Sequence, residues 1–483
     1  MFPKLTWRFF CWVFALLLGS QWLAAQNPVY KPGEYPAPRY PQIKASYTVD
    51  DLMPIARETV RRPVMSAFLK AGYAIQPGQR ALIVVPSDFE PLVLDAIIRA
   101  IHEAGGEADV VKTHVTPRPG GDGSIEVRSI MGPREPQTKG FTRDTIIRLA
   151  ENNGYDILIY GAGGPHAPIS IPWQYIFWDR IDKFIATAGF PDEIQQAIDL
   201  ATWEMVLKAR RFRVQDPEGT DISWTVKPSY WEEAKETYQF NIVHEGHVSG
   251  IPMGMAGSSF MESDAAGVIG GTLNHTGPFP NIRVSIANAS ASGIEGGGKY
   301  GQLWREALDK WKDVQWPESP GPGINKLWEV AIGTQVKGLR PKDAMDRAAG
   351  NIWERSRSGV IHWGIGARTP FVYQKQIPEE FKKFQEQHHA PGGHVHIHTY
   401  FNTMDIETID GQQTKLIDKG RLTVLDDPQV RQVAAKYGDP DELLREIWIP
   451  AIPGINVPGD YRRDYSNDPT AYIRKNIAEN YPY

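Results

Sequence analysis

Cysteine is all but missing from this chain: its 483 residues include one, Cys11. That residue lies in a stretch that reads as a secretory signal, with basic Lys4 and Arg8, an apolar run from Phe9 to Leu18 and a small-residue cleavage site at Leu23-Ala24-Ala25. With residues 1–25 removed, the mature chain has no thiol, which excludes disulfides, thiolate metal ligands and a cysteine nucleophile. An excess of positive charge is lacking as well. The chain has 52 Lys and Arg against 57 Asp and Glu, a formal net charge of −5, so no basic footprint for nucleic acid is present. After the N-terminal segment no apolar run is long enough to cross a membrane. The expectation is a secreted or periplasmic protein with no membrane attachment once the signal is gone. Several catalytic signatures are also absent. There is no G-x-S-x-G and no G-x-x-x-x-G-K-[ST]. Gly161-Ala162-Gly163-Gly164-Pro165 lacks the dinucleotide-binding spacing, and His244-Glu245-Gly246-His247 is one residue short of H-E-x-x-H.

What is present suggests an α/β protein of two domains. Residues 26–48 are rich in Pro and Tyr and read as an extended lead-in. A helix is expected over Val49 to Ala71. Apolar Ala81 to Val85 reads as a buried parallel strand, Leu92 to Ala104 as a helix, Ala108 to Val111 as a strand, Thr142 to Asn152 as a helix and Ile157 to Tyr160 as a strand. This alternation predicts an open, largely parallel α/β domain over 26–240. Residues 117–138, rich in Pro and Gly, read as a mobile surface loop or lid. Helices are expected over Pro172 to Ile185 and Asp192 to Lys208. Past residue 240 glycine becomes dense and short β-type runs take over, so a β-rich domain over 241–425 is expected. A C-terminal extension over 426–483 comes last, with two short helices (Pro428 to Tyr437 and Asp441 to Ile447) and a tail that packs on its own domain or on a second subunit of a homodimer.

The chemistry concentrates in the second half. Gly393-His394-Val395-His396-Ile397-His398 alternates like a strand, which puts His394, His396 and His398 on one face. Imidazole is the commonest metal ligand, and an H-x-H pair can hold one ion with two nitrogens. His388 and His389 stand just upstream. Two further strand-like runs offer ligands: Glu329 shares a face with Ala331 and Gly333, and His362 with Gly364 and Gly366. The near-absence of side chains beside each predicts an open volume suited to a metal and a substrate. Glu329, His362, His396 and His398 are therefore the expected metal site, with Glu329 alternatively a catalytic base. Asn274-His275-Thr276 and Asn288-Ala289-Ser290 match glycosylation sequons.

Four segments carry a family resemblance. Arg213-Val214-Gln215-Asp216-Pro217-Glu218-Gly219-Thr220-Asp221, Glu329-Val330-Ala331-Ile332-Gly333-Thr334, Gly359-Val360-Ile361-His362-Trp363-Gly364-Ile365-Gly366, and His396-Ile397-His398 with the later Ile409-Asp410-Gly411 resemble, in order and spacing, the motifs of the thermophilic metallo-aminopeptidase family of aminopeptidase T type. The resemblance implies a two-domain fold and a dinuclear centre that removes N-terminal residues from peptides, with ligands at Glu329, His362 and His396. Two family carboxylates fall on Met255 and His398, and a thioether is a poor ligand for a hard or borderline cation. One ion is therefore expected rather than two, a zinc, cobalt or iron. His394, His247, Glu245 and Glu262 are candidates to complete the site. The chain is also similar in outline to a fold relative of that family, the iron-dependent 2,5-dihydroxypyridine dioxygenase. Three function classes are compatible with these residues: a secreted metal-dependent hydrolase of aminopeptidase type acting on a peptide or small molecule, a mononuclear non-haem iron dioxygenase cleaving a small aromatic or heterocyclic ring, and a non-catalytic binding protein on the same fold.

Overall fold

A strand with no polar interruption has both faces covered, and Ala81 to Val85 forms the middle of such a strand, β1 (Arg80–Pro86). Ala81, Ile83 and Val85 enter one apolar cluster and Leu82 and Val84 another. With β2 (Glu107–Val115), β3 (Thr138–Lys139), β4 (Ile157–Tyr160) and β5 (Trp173–Tyr175) it makes a five-stranded sheet of order β3-β2-β1-β4-β5. β1 is parallel to β2 and β4, β4 is parallel to β5, and β3 is antiparallel at the edge. The helices Pro91–Glu103 and Arg143–Asn152 lie where the periodicity predicts them. Helix Val49–Arg61 begins at a capping box, Thr48 with Asp51. The computed structural model describes residues 27–63, 72–115, 120–131, 138–139, 143–161, 169–176, 178–226, 247–249, 263–317, 319–347, 354–367, 379–388 and 394–483. The signal segment, Glu245, Met255, Glu262 and His389 lie outside them.

From Ala209 onward the chain builds a larger, antiparallel sheet, so its first two strands fall before residue 240, inside the stretch the sequence assigns to the α/β domain. Its strands are β6 (Ala209–Asp216), β7 (Thr220–Thr225), β8 (His247–Ser249), β9 (Ala266–Leu273), β10 (Pro278–Ala287), β11 (Ser290–Gly296), β12 (Lys326–Gly333), β13 (Ile361–Gly366), β14 (His394–Thr399), β15 (Thr403–Thr408), β16 (Gln413–Asp418) and β17 (Arg421–Leu422). Their order is β14-β13-β12-β11-β10-β9-β7-β6-β15-β16-β17, with β8 also paired to β12. The molecule is thus α/β, with one mainly parallel and one antiparallel sheet. Among the described residues no helix is long and apolar enough to cross a membrane.

The helix expected over Asp441 to Ile447 spans only Pro440–Leu443, and two other segments change type. Trp173 to Tyr175 is a strand, because it pairs with the exposed edge of β4 in register Leu158–Trp173 to Tyr160–Tyr175; helix begins only at Ile181 and ends in a π-turn over Phe184–Ala188. The Pro- and Gly-rich stretch 117–138 contains the helix Ser124–Met131. Asp122 Oδ1 accepts the Ser124 N–H at 2.9 Å, and Val127 and Ile130 enter the core of the large sheet.

The C-terminal extension packs on its own chain and holds a further helix, Pro469–Asn480. Trp448, Ile452, Ile455, Tyr461 and Tyr465 join a cluster with Leu273, Val360, Tyr400 and Phe401 of the large sheet and its loops. The lead-in lies along this extension, with Arg39 bridged to Ile449 and Asn27 Nδ2 donating to Asp460 at 2.9 Å.

Candidate metal centre

The centre rests on three adjacent strands. β12 pairs with β13 and β13 with β14, so residues opposite one another form rows across the sheet. One row is Glu329–Gly364–His396 and the next Ala331–His362–His398, with Gly366 opposite His394 beside them. The other face of the same strands is apolar and buried: Leu327, Val330, Ile332, Ile361, Trp363, Ile365, Val395 and Ile397 all belong to the main core. Alternation, a period of two, thus separates ligand-type residues from core residues.

Glu329 reaches the first face through a β-bulge. Leu327 pairs with Ile365, but Glu329 pairs with Gly364, so Trp328 is an extra residue that re-aims the rest of β12. The carboxylate then extends across Gly364. A Cβ built on Gly364 would lie 2.7 Å from Glu329 Cβ and 2.7 Å from its Oε2. The volume beside His362 that the sequence suggested would be open is therefore filled, by Glu329 itself. Gly271 plays a similar part under β14: a side chain there would meet Ile397 Cγ2 at 2.6 Å and the His398 carbonyl oxygen at 3.3 Å.

Glu329 Oε2 lies 3.1 Å from His362 Nε2, 3.5 Å from His396 Nε2 and 3.8 Å from His394 Nε2. The three donor atoms of Glu329, His362 and His396 fall within 4.8 Å of one another, close enough to share one ion. His362 and His398 are fully buried, and Glu329 and His396 nearly so. The imidazoles of His362 and His396 are 4.3 Å apart by centroid, and that of His398 lies 5.2 Å from His362. His398 Nδ1 lies 3.7 Å from Glu354, beyond a hydrogen bond, and neither of its ring nitrogens has a hydrogen-bond partner among the described residues. A buried nitrogen lacking a partner suits a cation or a bound molecule better than a purely structural role.

Three participants were not legible in the sequence. Glu126, from the helix Ser124–Met131, contacts His396 Nδ1 through Oε1 and accepts the His396 backbone N–H through Oε2 at 3.0 Å. His275, read only as part of a sequon, packs its ring 4.8 Å from His362 and 4.1 Å from His396. Its Nε2 lies 3.1 Å from Arg355 Nη1 and its Nδ1 3.5 Å from Glu126. Glu354, fully buried, accepts from Arg340 Nε at 2.6 Å and Tyr400 OH at 2.5 Å. His275 and Glu126 create two further overlapping trios, His275–His362–His398 and Glu126–His275–His396. Of the other candidates, His388 ends the helix Glu379–His388 against Phe384, and His247 stands opposite Gly333 at the end of β12.

No family model matches the chain, and no curated protein does. Two solved structures are similar at low identity. One is the 2,5-dihydroxypyridine dioxygenase of Pseudomonas putida KT2440, at 12% identity and a TM-score of 0.41, covering 80% of this chain and 99% of the other. The second is wild-type AmpT from Thermus thermophilus, at 12% identity and a TM-score of 0.42, covering 78% and 99%. Both are proteins whose motifs or outline the sequence resembles.

Charge is distributed unevenly over the cluster. Burial works against the charge on Glu329, but facing His362 and His396 outweigh it and hold its carboxyl well below the ordinary range. Burial keeps His362 and His275 uncharged, well below the usual imidazole value, and lowers His398 as well. His396 goes the other way. Burial opposes its charge, yet Glu126 at Nδ1 and Glu329 at Nε2 push its pKa up to about 9.

This geometry makes two predictions. In Gly364→Ala the new methyl group meets Glu329, so affinity for a divalent ion should fall by more than about 100-fold, beyond the 10–100-fold typical of losing an outer-shell partner. Chelator competition measures this, and wild-type affinity in the variant would contradict it. Separately, below pH 9 an ion must displace a proton from His396 Nε2. Affinity should therefore rise about tenfold per pH unit between about pH 6 and 8; a flat profile would show that His396 enters the site neutral.

Proposed function

We propose that this chain is a metal-dependent hydrolase of aminopeptidase type that holds one divalent ion on Glu329, His362 and His396. The observation that carries the reading is the convergence of those three donor atoms on one face of three adjacent strands. The set fits a catalytic ion: two imidazoles and a carboxylate leave coordination positions for water and substrate. When bound there, such an ion supplies Lewis acidity, polarising a carbonyl and lowering the pKa of water.

The chain's own residues supply the rest. Glu329 brings an ionised carboxylate into a buried site, and the apolar core on the far side of the sheet keeps β12, β13 and β14 in register. Glu329 Oε2 lies within 3.8 Å of three imidazole nitrogens, which supports ligation as its role on this reading, with general base the alternative for the same carboxylate. His394 is the partly exposed member of the face, its ring edge-on to Trp328 at 4.5 Å, and it is placed to exchange a proton at a bound substrate. The basic and apolar start of the chain supports export from the cytoplasm.

A second reading is favoured by the same donor set. Two histidines and one carboxylate also make the facial triad of non-haem iron oxygenases, and Met255 and His398 stand where the resemblance places the carboxylates of a dinuclear hydrolase. On that reading the substrate is a small aromatic or heterocyclic ring.

Metal analysis with two activity assays on the purified mature chain tests both. One zinc or cobalt per chain with release of N-terminal residues from peptides supports the first; one iron with oxygen uptake on a dihydroxylated ring supports the second. Under either, His362→Ala and His396→Ala should each cut turnover by at least about a thousandfold, roughly 4 kcal/mol of transition-state stabilisation, with unchanged circular dichroism. Full turnover in either variant would remove the centre from the reaction.

A further inference from the structure

We infer that Glu126 is the positioning carboxylate of the metal centre: it holds His396 so that Nε2 faces the ion. The inference rests on the proposed metal site and names a residue that neither the motifs nor the strand pattern includes.

Glu126 grips His396 twice. One oxygen takes the ring N–H at Nδ1 and the other takes the backbone N–H of the same residue at 3.0 Å. Position and rotation of the ring are thereby fixed together. The Nδ1 contact requires a proton on that nitrogen, because a carboxylate only accepts. Nε2 then becomes the nitrogen available to a cation, and it is the one 3.5 Å from Glu329. A carboxylate behind a metal-bound imidazole is the usual way a protein orients such a ligand and raises its basicity.

The neighbouring histidine points to the same assignment. Arg355 can only donate, so His275 Nε2 accepts from it at 3.1 Å, and the His275 proton is on Nδ1, facing Glu126 at 3.5 Å. With its lone pair engaged by Arg355, His275 is a supporting residue. Arg355, His275, Glu126 and His396 thus form one chain of contacts ending at Nε2. This selects Glu329–His362–His396 from the three overlapping trios.

The helix that carries Glu126 is anchored to the turn after β9 and to the helix Gly298–Trp311. Asn274 Nδ2 donates to the Gly123 carbonyl oxygen at 2.9 Å, and Trp311 Nε1 donates to that of Ile130 at 3.0 Å. At the free edge of β14, Tyr300 OH donates to the His396 carbonyl oxygen at 2.8 Å. His396 is therefore held at ring, amide and carbonyl.

The test is Co²⁺ binding to the full mature chain, read by chelator competition and by the visible absorption of the bound ion, in wild type, Glu126→Ala and Glu126→Gln. Glu126→Ala should bind about 10–100-fold more weakly, with the absorption bands of the wild-type coordination retained and circular dichroism unchanged. Glu126→Gln keeps one acceptor oxygen and should recover part of the affinity. Wild-type affinity in Glu126→Ala overturns the assignment alone. Changed absorption bands also overturn it, because Glu126 would then be a ligand itself. A wild-type chain with no affinity for Co²⁺ overturns the metal reading, and this assignment with it.

Discussion

The ionised carboxylate of Glu329, buried among imidazoles, is the constraint on which the centre depends. A charge removed from water is costly unless it is paired and hydrogen-bonded. His362 and His396 provide that compensation here, and they can do so only because three backbone features agree. The bulge at Trp328 turns Glu329 onto the imidazole face, Gly364 leaves room for the carboxylate to cross β13, and Gly271 lets β14 pack close beneath. Changing any of these leaves a buried charge misplaced rather than a slightly altered surface.

The parts that brace this face come from distant regions of the chain. Glu126 arrives on a helix that precedes the large sheet in the chain. Glu354, beside His398, is held by Arg340, which lies under the Trp448 ring at 5.0 Å and whose carbonyl oxygen accepts from Tyr481 OH at 2.9 Å. The resembling segment around Asp216 is also structural. Asp216 accepts the Phe401 N–H just past the His-rich strand, and Glu218 accepts from Thr272 and Tyr461. That hairpin thus ties the C-terminal extension and the β14 region to β9. The extension belongs to the scaffold of the site and is not a loose tail.

Much of the site was legible because strands announce themselves by period. His394, His396 and His398 alternate with apolar residues, as does His362 with Ile361 and Trp363, so one face could be assigned without coordinates. The same rule located β1, β4 and the helices between the parallel strands. It failed where tertiary pairing decides. Trp173 to Tyr175 has the spacing of a helix and becomes a strand because β4 offers an open edge. The helix at Ser124 is set in Pro- and Gly-rich sequence, and its apolar residues Ile125, Val127, Ile130 and Met131 make too short a run to announce it. Glu126 had no local mark of function, although its spacing to Ile130 belongs to that helix. His275 sits in a turn after β9, where no periodicity exists to give it a direction. Sequence shows which face a residue takes along an element; it does not show which elements meet.

The most direct measurement is anomalous diffraction from crystals of the mature chain soaked in Zn²⁺ or Co²⁺. The account predicts one peak on the imidazole face, within about 2.0–2.2 Å of a Glu329 oxygen and of Nε2 on both His362 and His396. A peak bound instead by His275 or by Glu126, or no peak on that face, would contradict it.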